Sequence, residues 1–244
     1  LTPVKILRTK PKIIAILPAR MGSTRLPRKP LLELGGEPII VHTYKRVKSV
    51  FETIYVATDH QEIAAVCASY NIPVIMTSSD HLNGTSRCLE AYEKLDEEFD
   101  FIVNVQGDEA FISDDILEPL LDLLTSEGPE AATIIAPIQD EHRESNVFVV
   151  HDRYDHAMLF SRSPIPFSRD GAAVQRYQHV GVYSFTPDAL RNYCSMAPTT
   201  LELAESLEQL RWMEYGRKWK LARAPRKPLS IDTFSDYEAA KSRF

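Results

Sequence analysis

Glycine is scarce in this chain, at nine of 244 residues, and none are spaced as a G-x-G-x-x-G turn or as a phosphate loop ending in Lys and Ser or Thr. Two common nucleotide-cradling loops are thereby excluded. The three cysteines, Cys67, Cys88 and Cys194, lie far apart, without the paired spacing of a zinc or redox motif. They read as reduced thiols of a cytosolic, cytoplasmic protein. No apolar run approaches the length of a membrane span, and the first, Ile13 to Leu17, is too short for a signal-peptide core. Basic residues are outnumbered 28 to 34, so the formal charge of −6 offers no bulk attraction to nucleic acid or an anionic membrane.

What is present is an ordinary balance for one globular domain with a full core, 44% hydrophobic and 25% charged. The charge is unevenly spread. The first 32 residues carry eight cations, Lys5, Arg8, Lys10, Lys12, Arg20, Arg25, Arg28 and Lys29, and no acid. A basic start also suits an organelle transit peptide, but the strand-like run directly after it favours an N-terminal extension over residues 1–12 and a folded domain over 13–244.

Short β-rich runs alternate with helical patterns: Ile13 to Leu17, then a helix opened by Pro38; Ile54 to Thr58, then Gln61 to Ser69; Val74 to Met76, then a helix beginning near Thr85. Phe101 to Val105 is almost continuously apolar, as a central strand covered on both faces requires, and Ser113-Asp114-Asp115 opens the next helix. The alternation predicts an α/β fold with a mainly parallel central sheet and helices on both faces. From about residue 131 the β-like runs crowd together (132–135, 147–150, 157–160) before Tyr183 to Phe185, which suggests an inserted smaller β section at about 136–182. Thr186-Pro187 starts one late helix, and Thr200 precedes a stripe of Leu203, Leu207, Leu210 and Met213 at helical spacing.

Two segments are rich in chemistry. The loop Pro18 to Pro30 follows the first strand, where ligand crevices of open α/β sheets form. Its cations, one glycine and two hydroxyls suit a triphosphate, and equally a solvated basic connector. Gln106-Gly107-Asp108-Glu109 follows the apolar strand and would project Asp108 beside that loop, as a hard ligand for Mg²⁺ or as a turn-capping aspartate. Asn83-Gly84-Thr85-Ser86-Arg87 suits a phosphate or base contact, or an ordinary helix cap. Glu202, Glu205, Glu208 and Gln209 lie beside the leucine stripe and would by default face solvent. His151 to His156 has the composition of a metal cluster, but its histidines, five apart, would point to opposite faces of a strand.

Taken in order, Pro18 to Leu31, Val56-Ala57-Thr58-Asp59, Met76-Thr77-Ser78, Asn83-Gly84-Thr85, Val103 to Glu109, Leu159 to Arg162, Ile165-Pro166, His179 to Tyr183, Leu207 to Arg211 and Asp232-Thr233 resemble the 3-deoxy-manno-octulosonate (Kdo) cytidylyltransferase family. The resemblance runs from about residue 13 to the C-terminus. It implies a nucleotide-diphospho-sugar-transferase-like sandwich, a homodimer joined through the inserted section, and Mg²⁺-dependent transfer of CMP from CTP to a 2-keto-3-deoxy sugar acid.

By the same resemblance, Ala19, Arg20, Ser23, Arg25 and Lys29 bind CTP, with Thr77, Ser78, Gly84 and Arg87 near the cytidine. Asp108 and Asp232 hold Mg²⁺. Gln106, Arg162, His179, Tyr183, Glu208 and Gln209 face the sugar acid, and catalysis rests on Arg20, Arg25, Lys29, Asp108 and Asp232. Four positions depart from the family pattern: Arg28 replaces a usual Gly, Ser86 a usual acid, Phe148 a Lys and Phe234 a Pro. They leave an 8-amino analogue or a sialic-type acid open as substrate, and a non-catalytic nucleotide-binding paralogue as a reading of another class.

Overall fold

A computed structural model describes residues 10–22, 26–138, 146–171 and 173–243. One sheet runs in the order β11 (Lys220–Arg223), β7 (Ala131–Ile138), β10 (Arg176–Phe185), β6 (Phe101–Val105), β1 (Ile13–Ala19), β4 (Thr53–Thr58) and β5 (Val74–Met76), with β8 (Phe148–His151) paired to β10 and β9 (Ala157–Ser161) paired to β8. Strands β6, β1, β4 and β5 are mutually parallel, and β11 is parallel to β7. The antiparallel pairings are those of β10 with β6, β7 and β8, and of β8 with β9. A small ribbon, β2 (Glu33–Leu34) with β3 (Glu37–Pro38), lies apart.

Alternation along β1 explains the two layers. Ala15 and Leu17 join one cluster with Val41 and Val47 of α1 (Ile39–Lys48), Ile63 of α2 (Gln61–Ser69) and Ile116 and Leu120 of α4 (Asp114–Ser126). Ile14 and Ile16 join the opposite one with Cys88 and Tyr92 of α3 (Gly84–Glu93), Leu190 and Tyr193 of α5 (Pro187–Ser195), and Trp212 and Trp219. The five residues of β6 are all buried, as a strand covered on both faces must be.

Three expectations change. The leucine stripe is not one helix but two short ones, α6 (Thr200–Glu205) and α7 (Gln209–Glu214), because Ser206 takes a left-handed backbone with φ 52°. Leu203 consequently points to solvent, 68% exposed, whereas Leu207 and Leu210 are buried. Strand β10 is ten residues long, not three, because its first half alternates polar and aromatic side chains. Its pairing to β7 shifts between Val180 and Tyr183. Finally β11 and α8 (Phe234–Lys241) stand where no element was expected.

Two departures from the family pattern have simple local explanations. Arg28 has φ 59°, the region where glycine alone is free of strain, and it leads directly into a 3-10 turn at Lys29–Leu31. The loop keeps that backbone with an arginine in place, and Arg28 pairs with Glu62 of α2. Phe234 is the first residue of α8 after its Thr233 cap, a position that suits proline without requiring it.

Candidate active site

The carboxyl ends of β1 and β6 open into a cleft of about 480 Å³, joined to a smaller depression of about 260 Å³ by Pro18, Ala19, Arg20, Gln106 and Asp232, which line both. Two glycines let these ends approach. A Cβ on Gly107 would meet Pro18 O and Ile40 Cδ1 at 2.9 Å, and one on Gly84 would meet Pro18 Cγ at 2.9 Å. The Gly107 N–H donates to Pro18 O at 3.2 Å, fastening the two strand ends together.

The smaller depression is charged. The 3-10 turn delivers Lys29 from behind, so that its side chain is only 8% exposed while Nζ lies 2.7 Å from Asp108 Oδ2 and 3.9 Å from Asp232 Oδ1. Asp108 follows the Gly107 turn out of β6, and Asp232 is set by the cap of α8: Asp236 accepts from the Asp232 and Thr233 N–H groups at 3.1 and 2.9 Å. Tyr237 of that helix donates to Glu33 O at 2.8 Å and ties it to the β2–β3 ribbon. Glu109 Oε2 is buried without a hydrogen-bond partner, and burial, aided by Asp108, pushes this carboxyl up to about 7.

The larger cleft has a different wall. Gln106 Nε2 donates to Asn104 Oδ1 at 3.2 Å, Asn104 Nδ2 to Thr85 Oγ1 at 3.3 Å, and Thr85 Oγ1 to Glu208 Oε2 at 3.1 Å. Burial raises the Glu208 carboxyl above its ordinary range. His179 is buried on β10, where burial holds its imidazole down to about 3, so the ring is neutral. Thr133 settles its tautomer: the hydroxyl donates to Val182 O at 2.7 Å, so its oxygen accepts from His179 Nε2–H at 2.8 Å. Tyr183 Oη donates to Gln209 Oε1 at 3.3 Å, and burial raises the phenol above its ordinary value.

Most of the expected site residues converge. Ala19, Arg20, Gly84, Arg87, Gln106, Arg162, His179, Tyr183, Glu208, Gln209 and Asp232 line the larger cleft, and Lys29 and Asp108 the smaller. Thr77 and Ser78 line neither. They stand behind Arg87, whose guanidinium donates to Thr77 Oγ1 at 2.6 Å and Ser78 O at 3.2 Å and pairs with Asp59 at 3.2 Å. Ser23 and Arg25 lie outside the described residues. The acidic face expected in solvent is largely inside: Glu202 is buried in an ion pair with Arg211, and Glu205 receives Ser161 Oγ at 2.7 Å and the Arg162 N–H at 2.8 Å. Arg162 Nε donates to Glu205 O at 2.7 Å, so the arginine clamps the end of α6 while lining the cleft.

The sequence model of a cytidylyltransferase family matches residues 14–219. Two relatives named 3-deoxy-manno-octulosonate cytidylyltransferase are 39% identical over 242 residues in Parabacteroides distasonis, covering 94% of this chain and 96% of the relative, and 41% identical over 242 residues in Gemmatimonas aurantiaca, covering 95% and 94%. The chain belongs to the 3-deoxy-manno-octulosonate cytidylyltransferase family. A solved CMP:2-keto-3-deoxy-manno-octonic acid synthetase, in complex with CTP, superposes with a TM-score of 0.88 at 34% identity, over 95% of this chain and 98% of that one.

Within this cytidylyltransferase fold several site residues carry no sequence signal strong enough to single them out. Asn104 is the exception, a polar residue inside an apolar strand. Thr133 looks like an ordinary threonine. Lys227, from the segment after β11, lines the larger cleft with His179 and Glu109, and supplies a cation there although Phe148 stands where the family has a lysine. Phe148 itself is core, 2% exposed. Ser86 bonds to the neighbouring His81 at 3.1 Å, and a carboxylate reaches His81 from Glu90, one turn further along α3. The His151–His156 segment is a hairpin tip: Asp152 caps the Tyr154 and His156 N–H groups at 2.8 and 2.9 Å.

Proposed function

We propose that the protein activates Kdo by transferring CMP from CTP to the sugar's anomeric hydroxyl with release of pyrophosphate. The observation that carries this reading is Lys29 set between Asp108 and Asp232 at the edge of a cleft whose far wall carries a neutral, buried His179. A non-catalytic paralogue would have no use for that trio.

The residues present fit a divalent cation. Among the described residues no three His, Cys, Asp or Glu side chains converge as a ready-made cage. Mg²⁺ asks for less, one or two protein carboxylates with substrate and water oxygens supplying the rest. Asp108 and Asp232 would hold it, with the unpartnered oxygen of Glu109 nearby. When bound, the ion would neutralise phosphate charge and lower the pKa of the attacking hydroxyl.

Arg20 and Lys29 bind the triphosphate and take up charge as pyrophosphate leaves; Arg25 and Ser23 join them from the same loop. Arg87 fixes the segment at Thr77 and Ser78, against which the cytidine end rests beside Gly84. On the other wall Arg162 and Lys227 face the sugar's carboxylate. Neutral His179, Tyr183, Gln209 and Gln106, with Glu208 behind them, orient the sugar's hydroxyls, which brings the nucleophile in line with the α-phosphate. The inserted section joins two copies, consistent with the exposed Tyr154, Met158 and Phe167 along it.

The test is pyrophosphate release from CTP and Mg²⁺ with Kdo, its 8-amino analogue and N-acetylneuraminate. Kdo should give the highest kcat/KM. A higher value for either other sugar would overturn the substrate assignment, and CTP binding without pyrophosphate release for any of them would overturn the activity.

A further inference from the structure

Lys29 holds an unusual position for a residue assigned to phosphate. Its side chain is only 8% exposed, whereas its partners Asp108 and Asp232 are 37% and 30% exposed. The carboxylates therefore face the cleft, and the ammonium reaches them from the protein side. Its direction is fixed by the backbone, since the left-handed Arg28 and the Pro30 of the 3-10 turn leave little freedom in where the side chain leaves the chain. At 2.7 Å from one carboxylate and 3.9 Å from the other, the ammonium makes the charge contacts that a cation held by the pair would make. Two cations around the same two carboxylates repel each other, and more strongly in a partly dry site than in water.

We propose that Lys29 is a place-holding cation, competing with divalent metal for Asp108 and Asp232 until a triphosphate arrives to receive its ammonium. The inference rests on the reading of those aspartates as the metal-holding pair. Its consequence is thermodynamic coupling: the nucleotide draws Lys29 off the carboxylates and strengthens metal binding, and by reciprocity metal strengthens nucleotide binding. The free protein then does not bind divalent ions tightly in an unproductive form.

The experiment titrates Mn²⁺ into the full-length protein, following free Mn²⁺ by electron paramagnetic resonance, with and without CTP. Without CTP, Lys29→Met should bind Mn²⁺ at least about tenfold more tightly than the native protein, since the pair loses its resident counter-charge. CTP should then tighten Mn²⁺ binding less than it does in the native protein. Lys29→Arg, which keeps the charge, should stay near native. Lys227→Met measures the general effect of removing another cation of the cleft, and should gain less than about threefold.

Equal or weaker Mn²⁺ binding by Lys29→Met, or an equal gain in Lys227→Met, overturns the place-holding role while leaving the metal site standing. If Asp108→Asn binds Mn²⁺ with CTP as the native protein does, the metal reading itself falls, and this inference with it. Lys29→Gln repeats the comparison if Lys29→Met loses its native circular dichroism.

Discussion

The two walls of the cleft solve the same problem, holding an anionic ligand, with opposite chemistry. At the ends of β1 and β6 the wall is ionic, with Lys29, Asp108 and Asp232 crowded into a small depression and Glu109 on the adjoining part of the larger cleft. Across the cleft, β10 and α7 present buried neutral groups, a deprotonated, tautomer-fixed imidazole, a protonated phenol and a buried amide, with Arg162 and Lys227 as the cations beside them. The difference teaches where each kind of work belongs. Asp108 and Asp232 stay near water, where desolvation costs little, and their carboxylates compensate the buried Lys29. Selecting a sugar among similar sugars calls for buried groups that lose a hydrogen bond when the wrong hydroxyl pattern binds.

Breaking the ionic wall should have the largest effect. Asp108→Asn should lower the rate of pyrophosphate release by about 10² to 10³-fold. Asp108 is partly exposed, so the melting temperature should move by no more than a few degrees, and calorimetry on the same sample checks this. A large loss of stability instead would make Asp108 a structural residue.

The neutral wall should fail differently. Thr133→Val leaves both His179 Nε2–H and Val182 O without a partner, which should cost about 1–3 kcal/mol, or a fall in melting temperature of roughly 3–10 °C. The freed imidazole can turn, so KM for the sugar acid should rise while KM for CTP stays put. Equal increases in both would erase the distinction between the walls.

Acid should sharpen the comparison further. His179 is neutral in the folded protein down to about pH 3, whereas in the unfolded chain it takes up a proton below its ordinary value of 6.5. Its contribution to stability is therefore complete above about pH 6.5 and is lost as pH falls toward 3. Melting temperatures measured from pH 7 to pH 4 should fall less in His179→Gln than in the native protein, and identical slopes would show that another group governs the acid limb.

The smallest effect belongs to the loop backbone. Arg28→Gly relieves a left-handed arginine, worth about 1–2 kcal/mol, but gives back unfolded-state entropy and the pair with Glu62. Net stability should change by less than about 1 kcal/mol with activity retained, as urea melts and the pyrophosphate assay would show.

The same contrast governs what could be read from the sequence. The ionic wall is written in local motifs: β5, β6 and α2 have the bounds their apolar runs suggest, and Asp108 follows a strand end that sequence patterning marks clearly. The neutral wall is assembled from distant pieces. The first half of β10 carries Arg176, Gln178 and His179, which conceal a strand, and the fixed His179 ring arises only when the Thr133 hydroxyl of β7 bonds to it. The break at Ser206 was equally hidden, because a serine gives little warning of a left-handed backbone. Glu109 was visible beside Asp108, but nothing local revealed that one of its oxygens would be buried without a partner.

The chain of side chains from Gln106 through Asn104 and Thr85 to Glu208 has a consequence of its own, because it runs in one direction. Each member gives a hydrogen to the next, and the sequence ends on a carboxylate that only receives. Asn104 is the one link that must both receive and give through different atoms, which an amide does and an aspartate of the same shape does not. An Asn104→Asp exchange would therefore preserve the volume of the strand while reversing the grammar of the wall. It would deprive Thr85 of its donor and set a second negative charge in line with Glu208.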